Sequence, residues 1–160
     1  MISILFVCLG NICRSPMAEA LMRAKVKEAG LESYITVDSA GTGNYHIGKP
    51  PHEGTRQILD QNMISYEGMK CRQFHEDDFM SQTYIVCMDE NNERDIMSWT
   101  NANVKQSVVL KLMDLLPEEH DPNVPDPYYT GDFDEVYRLV DAGCNALLAQ
   151  VKETHKHLLP

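Results

Sequence analysis

The stretch Ile2-Ser-Ile-Leu-Phe-Val-Cys8-Leu-Gly-Asn-Ile-Cys-Arg14-Ser-Pro16 decides how the chain is read. Ile2–Cys8 is a short apolar run that meets Gly10 almost at once, the composition of a strand buried in a parallel sheet. Ser15-Pro16 is a helix start, with serine as N-cap and proline at the first helical position. Met17, Leu21 and Ala24 supply the apolar face of that helix, and Gly30 closes it. The turn in between is built for an anion. A helix N-terminus offers free N–H groups and about half a unit of positive charge. Gly10 permits unusual backbone angles and Asn11 tolerates the left-handed region, so the amides of Leu9 to Arg14 are expected to face inward as a nest. The loop has neither Gly-Lys-Ser/Thr nor Gly-x-Gly-x-x-Gly, which sets it apart from nucleotide-binding turns.

A cysteine at one end of this turn and an arginine at the other suit covalent phosphoryl transfer. Free cysteine titrates near ~8.5, and a helix N-terminus with positive neighbours draws it to roughly 3.5–7.5. Cys8 is therefore expected as a thiolate nucleophile. Arg14 can fork two hydrogen bonds onto phosphoryl oxygens, which lysine cannot. The backbone amides would hold the remaining charge, and the Ser15 hydroxyl is placed to donate to the sulfur as it leaves.

Outward from this loop, strands and helices alternate. Tyr34–Asp38 is a second strand, followed by the turn-rich Ser39–Pro51 and a helix over His52–Asn62. Asp77–Met80 is a short helix, Tyr84–Met88 a third strand, Glu90–Met97 a polar helix and Val108–Leu112 a fourth strand. Pro117–Thr130, rich in proline and acidic residues, is a loop. Phe133, Val136, Tyr137, Val140, Cys144, Leu147, Leu148 and Val151 fall on helical spacing, the strongest periodic signal in the chain. Such alternation implies βαβ units, a parallel sheet and helices on both faces, with ligands beyond the carboxyl ends of the strands.

The chain has 160 residues, 43% of them hydrophobic and 24% charged, enough for one domain with a core of its own. No apolar run reaches the ~18–20 residues of a membrane span, and the apolar start lacks the basic leader of a signal peptide. Fourteen Lys plus Arg against 24 Asp plus Glu leave a net charge of −10, which repels nucleic acid. Cys8, Cys13, Cys71, Cys87 and Cys144 are odd in number and form no Cys-x-x-Cys pair. Free thiols in a reducing cytoplasm are expected, with no structural zinc. His155 and His157, two apart on a helix, would face different ways and make no metal pair.

Cys8-Leu-Gly-Asn-Ile-Cys-Arg-Ser-Pro-Met-Ala-Glu19 resembles the phosphate-binding loop of the low-molecular-weight protein tyrosine phosphatases. Asp38-Ser-Ala-Gly-Thr42, Ile47-Gly-Lys-Pro-Pro51, Tyr84-Ile-Val-Cys-Met-Asp-Glu90 and Val124-Pro-Asp-Pro-Tyr-Tyr129 are similar to further segments of that family, in family order. The resemblance implies one α/β domain over residues 1–160. Its sheet would be doubly wound, four-stranded and parallel, in the order 2-1-3-4. It also implies a phosphocysteine on Cys8, phosphate binding by Arg14 and a general acid at Asp126. Asn11 and Ser39 would brace the loop from behind. No cofactor is implied. The partners would be phosphotyrosine-containing proteins or peptides, met by a monomer or weak dimer.

The residues alone say less about Asp126. A leaving oxygen must be protonated, and a carboxyl on a proline-pinned loop fits that role. Equally, Asp126 reads as one solvated acid among Glu118, Glu119, Asp121 and Asp132. Tyr45, Tyr128 and Tyr129 with Ile12 are candidates for the walls of an aryl cleft, or for simple loop packing. Cys13 is either a small buried filler or, as the resemblance implies, a resolving thiol that captures oxidised Cys8. Many relatives carry a histidine shortly before the Arg-Gln that Arg72-Gln73 resembles, and Glu67-Gly-Met-Lys-Cys71 has none. Ile12 stands where a protein-arginine-phosphatase branch has threonine, and its apolar side chain suits an aryl substrate better.

Two other functions compete. An arsenate reductase on the same fold uses a similar loop but needs two further neighbouring cysteines, and Cys71 and Cys87 are sixteen apart with Cys87 inside a strand. A phosphotyrosine-binding module that only holds the anion has no use for a nucleophile and an acid.

Overall fold

Strand β1 (Ile2–Cys8) is the axis of the structure, a computed structural model that describes residues 1–100 and 106–160. Its residues Ile4 to Val7 are fully buried, because apolar side chains leave both faces of the strand. It pairs in parallel with β2 (Ile35–Gly41) on one side and β3 (Tyr84–Cys87) on the other, and β4 (Val108–Lys111) lies beyond β3. The order β2-β1-β3-β4 is the four-stranded parallel sheet expected of a doubly wound α/β protein.

Helices cover both faces. Ile4 and Phe6 pack with Met17 and Leu21 of α1 (Arg14–Glu28) and with Val140, Cys144 and Leu147 of α6 (Phe133–Thr154). Leu59 of α2 (Glu53–Gln61) joins the same core. On the other face Leu5 and Val7 meet Phe79 of α3 (Asp78–Ser81) and Ile96 of α4 (Glu90–Met97). A 3-10 turn, Leu112–Leu115, follows β4, and the one-turn α5 (Pro127–Thr130) precedes α6.

Several element boundaries differ from those read in the sequence, each for a local reason. The first helix begins at Arg14 with Cys13 in the capping position, so Ser15 is not the N-cap and its hydroxyl is free for another partner. Ala24 is only half-buried, whereas Glu19 is enclosed. Gly30 does close the helix, at φ 73°, with Leu31 N–H donating to Val26 O at 2.9 Å. Strand β2 runs on through Ser39, Ala40 and Gly41, because these small residues pair with Phe6, Val7 and Cys8. Leu112 leaves the fourth strand to start the 3-10 turn. Residues 127–130 of the expected loop wind into α5, capped by the Asp126 side chain. His155 lies past the end of α6, its Nε2 2.9 Å from the Tyr84 hydroxyl.

Candidate active site

At the carboxyl end of β1 the chain turns around the Cys8 sulfur. Asn11 adopts the left-handed conformation at φ 56°, and its N–H donates to Cys8 Sγ at 3.2 Å. The carbonyls of the turn are all taken up by the surrounding framework. Cys8 O accepts from Thr42 N and Leu9 O from Gly43 N, both at 2.9 Å. Gly10 O and Asn11 O accept from the Cys71 thiol, Ile12 O accepts from His52 N at 2.7 Å, and Cys13 O accepts from Thr55 Oγ1 at 3.1 Å. In a planar trans peptide the N–H points opposite the C=O. Six outward carbonyls therefore turn the amides of Leu9 to Arg14 inward, toward the space above Cys8.

Behind the loop runs a chain of hydrogen bonds. Arg72 N–H donates to Asn11 Oδ1 at 2.9 Å, which orients the Asn11 amide. Its Nδ2 then donates to Ser15 Oγ at 2.8 Å and to Ser39 Oγ at 2.9 Å. Ser15 Oγ, accepting from Asn11, stands 2.9 Å from Cys8 Sγ, to which it donates when the sulfur is a thiolate. Ser39 donates onward to Glu19 Oε1 at 2.6 Å. Met69 is buried beside the loop-backing residues Asn11, Glu19 and Ser39.

Arg14 is 2% exposed, and its Nη1 is held by Asp89 Oδ2 at 2.7 Å and Val124 O at 3.0 Å. Nη2 lies 3.4 Å from Asp126 Oδ2. Burial alone would draw the guanidinium down, but the Cys8 sulfur, the Asp89 hydrogen bond and Asp126 outweigh it and hold its pKa above the usual arginine value. Arg14 borders a cavity of about 370 Å³. Cys8, Leu9, Gly10, Ile12, Cys13 and Asp126 also line it, and Tyr45, Tyr128 and Tyr129 form its wall. Asn11, Ser15 and Ser39 stand behind it, as their bonds require. The Asp126 side chain is only 23% exposed and accepts from Tyr128 N at 3.0 Å through Oδ1, which is not the setting of a freely solvated loop acid.

Four participants were missed in the sequence. Asp89 anchors Arg14 across 75 residues while its Oδ1 caps α4 by accepting from Asn92 N at 2.8 Å. An aspartate between a strand and a helix signals that cap, but nothing local signals the arginine. Glu19 ends the chain behind the loop, and burial raises its pKa although Ser39 and Arg23 pull it back. His46 lines the cavity, and Cys71 seals the loop's outer carbonyls. Burial, with the Cys8 charge added, pushes the thiols of Cys13 and Cys71 up to about 12. Cys87, the other cysteine weighed for a thiol relay, is enclosed in β3. Among the described residues no cluster of His, Cys, Asp and Glu is arranged to hold a metal ion.

A parallel α/β sheet with a cysteine and an arginine in the turn after its first strand is the arrangement expected of a cysteine-dependent phosphatase. Comparison with known proteins sharpens that class. A model of the family "Low molecular weight phosphotyrosine protein phosphatase" matches residues 3–157. Low molecular weight protein-tyrosine-phosphatase YfkJ of Bacillus subtilis is 48% identical over 153 residues, spanning 96% of this chain and 97% of that one. Low molecular weight protein-tyrosine-phosphatase PtpA of Staphylococcus aureus is 46% identical over 92% of both chains. The crystal structure of YfkJ superposes with a TM-score of 0.90 at 47% identity over 96% of each chain. A protein tyrosine phosphatase from Entamoeba histolytica superposes at 0.89 with 31% identity, over 97% of this chain and 99% of that one. The chain belongs to the low-molecular-weight protein tyrosine phosphatase family.

Proposed function

We propose that the chain hydrolyses phosphotyrosine in proteins and peptides through a phosphocysteine on Cys8. Cys8 Sγ attacks phosphorus as a thiolate, the bond to the tyrosyl oxygen breaks, and the Asp126 carboxyl gives that oxygen its proton. Arg14 and the amides of Leu9 to Arg14 hold the three equatorial oxygens throughout. Asp126, now ionised, takes a proton from water, whose oxygen displaces the sulfur and releases inorganic phosphate. Ser15 and Asn11 N–H receive the charge on the departing thiolate. Ile12, Tyr45, Tyr128 and Tyr129 give an aryl ring an apolar channel down to the nest.

The observation that carries this reading is the sulfur itself, which accepts from Asn11 N–H at 3.2 Å and meets the Ser15 hydroxyl at 2.9 Å in a cavity that Arg14 and Asp126 share. The test is turnover of a small aryl phosphate with chelator present. Cys8→Ser should abolish it while inorganic phosphate still binds, and full activity in that variant would overturn the assignment. No bound metal is needed in this scheme.

Cys13 borders the same cavity as Cys8, which supports a redox role. Oxidised to a sulfenic acid by a peroxide, which is reduced to water or an alcohol, Cys8 would condense with the Cys13 thiol, forming a disulfide and releasing water. The five free cysteines support a reducing, cytoplasmic setting, and no described helix is long and apolar enough to cross a membrane. One sheet taking strands from residues 2 to 111, covered by a helix that ends at Thr154, supports a single domain over 1–160.

A further inference from the structure

Four elements meet at His52, and two of them, the loop after β1 and α5, line the cavity. Its backbone N–H donates to Ile12 O of the loop at 2.7 Å. Its Nδ1 accepts from Gly54 N at 3.0 Å, capping α2. Its ring stacks on Phe133, the first residue of α6, with centroids 5.3 Å apart and planes at 20°. The same ring meets Tyr128 of α5 edge to face, at 6.0 Å and 76°. Gly54 makes the stack possible, because a Cβ there would lie 2.4 Å from the Phe133 ring.

Asp126 needs such support. The helix it caps is a single turn, its contact with Arg14 is long at 3.4 Å, and its other bond comes from the backbone of Tyr128. Tyr128 is itself 55% exposed, so its ring neighbours hold it. Tyr129 meets the Tyr128 ring at 5.4 Å but is itself 76% exposed, and His46 meets that ring at 6.5 Å. His52 alone among these is anchored on its far side, by a stacked ring and by a helix cap.

We propose that the His52 imidazole is a positioning residue for the general acid: buttressed by Phe133, it holds Tyr128, and Tyr128 holds the Asp126 carboxyl at the leaving oxygen. This rests on the reading of Asp126 as the acid. The two jobs of His52 are separable. Asparagine keeps an acceptor for the Gly54 N–H and is a strong N-cap but has no ring. Phenylalanine keeps the ring and loses the acceptor.

The experiment measures kcat/KM for a series of aryl phosphates whose leaving phenols differ in basicity, in the parent, His52→Asn, His52→Phe and Asp126→Asn. A basic leaving oxygen depends on the acid, whereas an activated nitrophenolate leaves with little help. His52→Asn should lose about 5-fold with phenyl phosphate and less than about 2-fold with nitrophenyl phosphate, on the scale of one aromatic contact. His52→Phe should follow the parent across the series. Phe133→Leu, which removes the buttress from the other side, should reproduce the His52→Asn pattern, with thermal midpoints confirming that each variant is folded. Equal losses across the series, or a loss in His52→Phe that His52→Asn lacks, overturn the proposal, since the residue then acts as a wall or as a cap. An Asp126→Asn series no steeper than the parent's overturns the acid reading and this proposal together. A steep Asp126→Asn series beside a flat His52→Asn one overturns the His52 role alone.

Discussion

Cys8 differs from the other cysteines in what reaches its sulfur. Asn11 N–H donates to it, the Ser15 hydroxyl lies 2.9 Å away, and it faces a cavity. Cys13 faces the same cavity, yet burial pushes its thiol up to about 12, as it does for Cys71 and Cys144. A thiol titrating that high is ionised to only about one part in 10⁵ at pH 7, and the thiolate is the reactive form. Brief treatment with iodoacetate, an anion drawn to the nest, should therefore label Cys8 first and spare Cys13, and phosphate should protect it. Peptide mapping that finds Cys13 carboxymethylated as fast as Cys8 would defeat this account. Cys8 and Arg14 were legible in the sequence because they bracket one strand-to-helix connection and their roles follow from local spacing. Asp89 and Cys71 were not, because each acts on the loop from another segment of the chain. Glu19 was not, because it reaches the loop only through Ser39 of β2, and composition does not report which segments meet.

Elements were legible where one face is buried and misread where a neighbour decides. The long α6 shows its periodicity plainly, with Val136, Val140, Cys144, Leu147 and Val151 fully enclosed. Ser39-Ala-Gly41 looks like a turn by composition, yet it is strand, since only small residues fit beside the loop. A Cβ on Gly41 would stand 2.9 Å from Leu9 O. Small residues can therefore mark a close approach as well as a bend. Gly143 in α6 is the helical case. Alanine there gains about 1 kcal/mol of helix propensity. Its Cβ, however, would lie 2.5 Å from Leu112 Cγ, a side chain with no exposed surface in which to move. Forcing a methyl into a filled core costs about 1–3 kcal/mol. Gly143→Ala should accordingly unfold at lower denaturant by about 1 kcal/mol net, though propensity alone predicts the reverse. A stabilised variant would show that α6 and the 3-10 turn are loosely packed.

At the scale of the whole molecule, a net charge of −10 makes each buried carboxylate a liability unless the fold compensates it. The sheet order and the place of the site beyond the strand ends could be expected from alternating strands and helices, because right-handed crossovers leave few arrangements. That Glu19 would be sealed behind the loop could not, since its partners Ser39 and Arg23 come from a second strand and from the next turn of its own helix. Burial raises the Glu19 pKa, and neither partner cancels the rise. The folded protein thus binds this proton more tightly than the unfolded chain, where the group titrates near 4.5. Below that value both states hold the proton and the linkage is silent. As pH climbs from there through the folded value, the native state gives up a proton it binds better, so stability falls and the loss persists at neutral pH. The exposed pairs of Arg138 with Glu119 and Glu135 act the other way, their carboxyls being lowered by the arginine. They are common to parent and variant, so they cancel in the difference. Urea midpoints of Glu19→Gln and the parent, measured from pH 4 to pH 7, should shift steadily in favour of the glutamine variant as pH rises, whatever their offset at pH 4. A difference that stays flat, or that moves toward the parent, would mean that Arg23 and Ser39 fully compensate the buried charge.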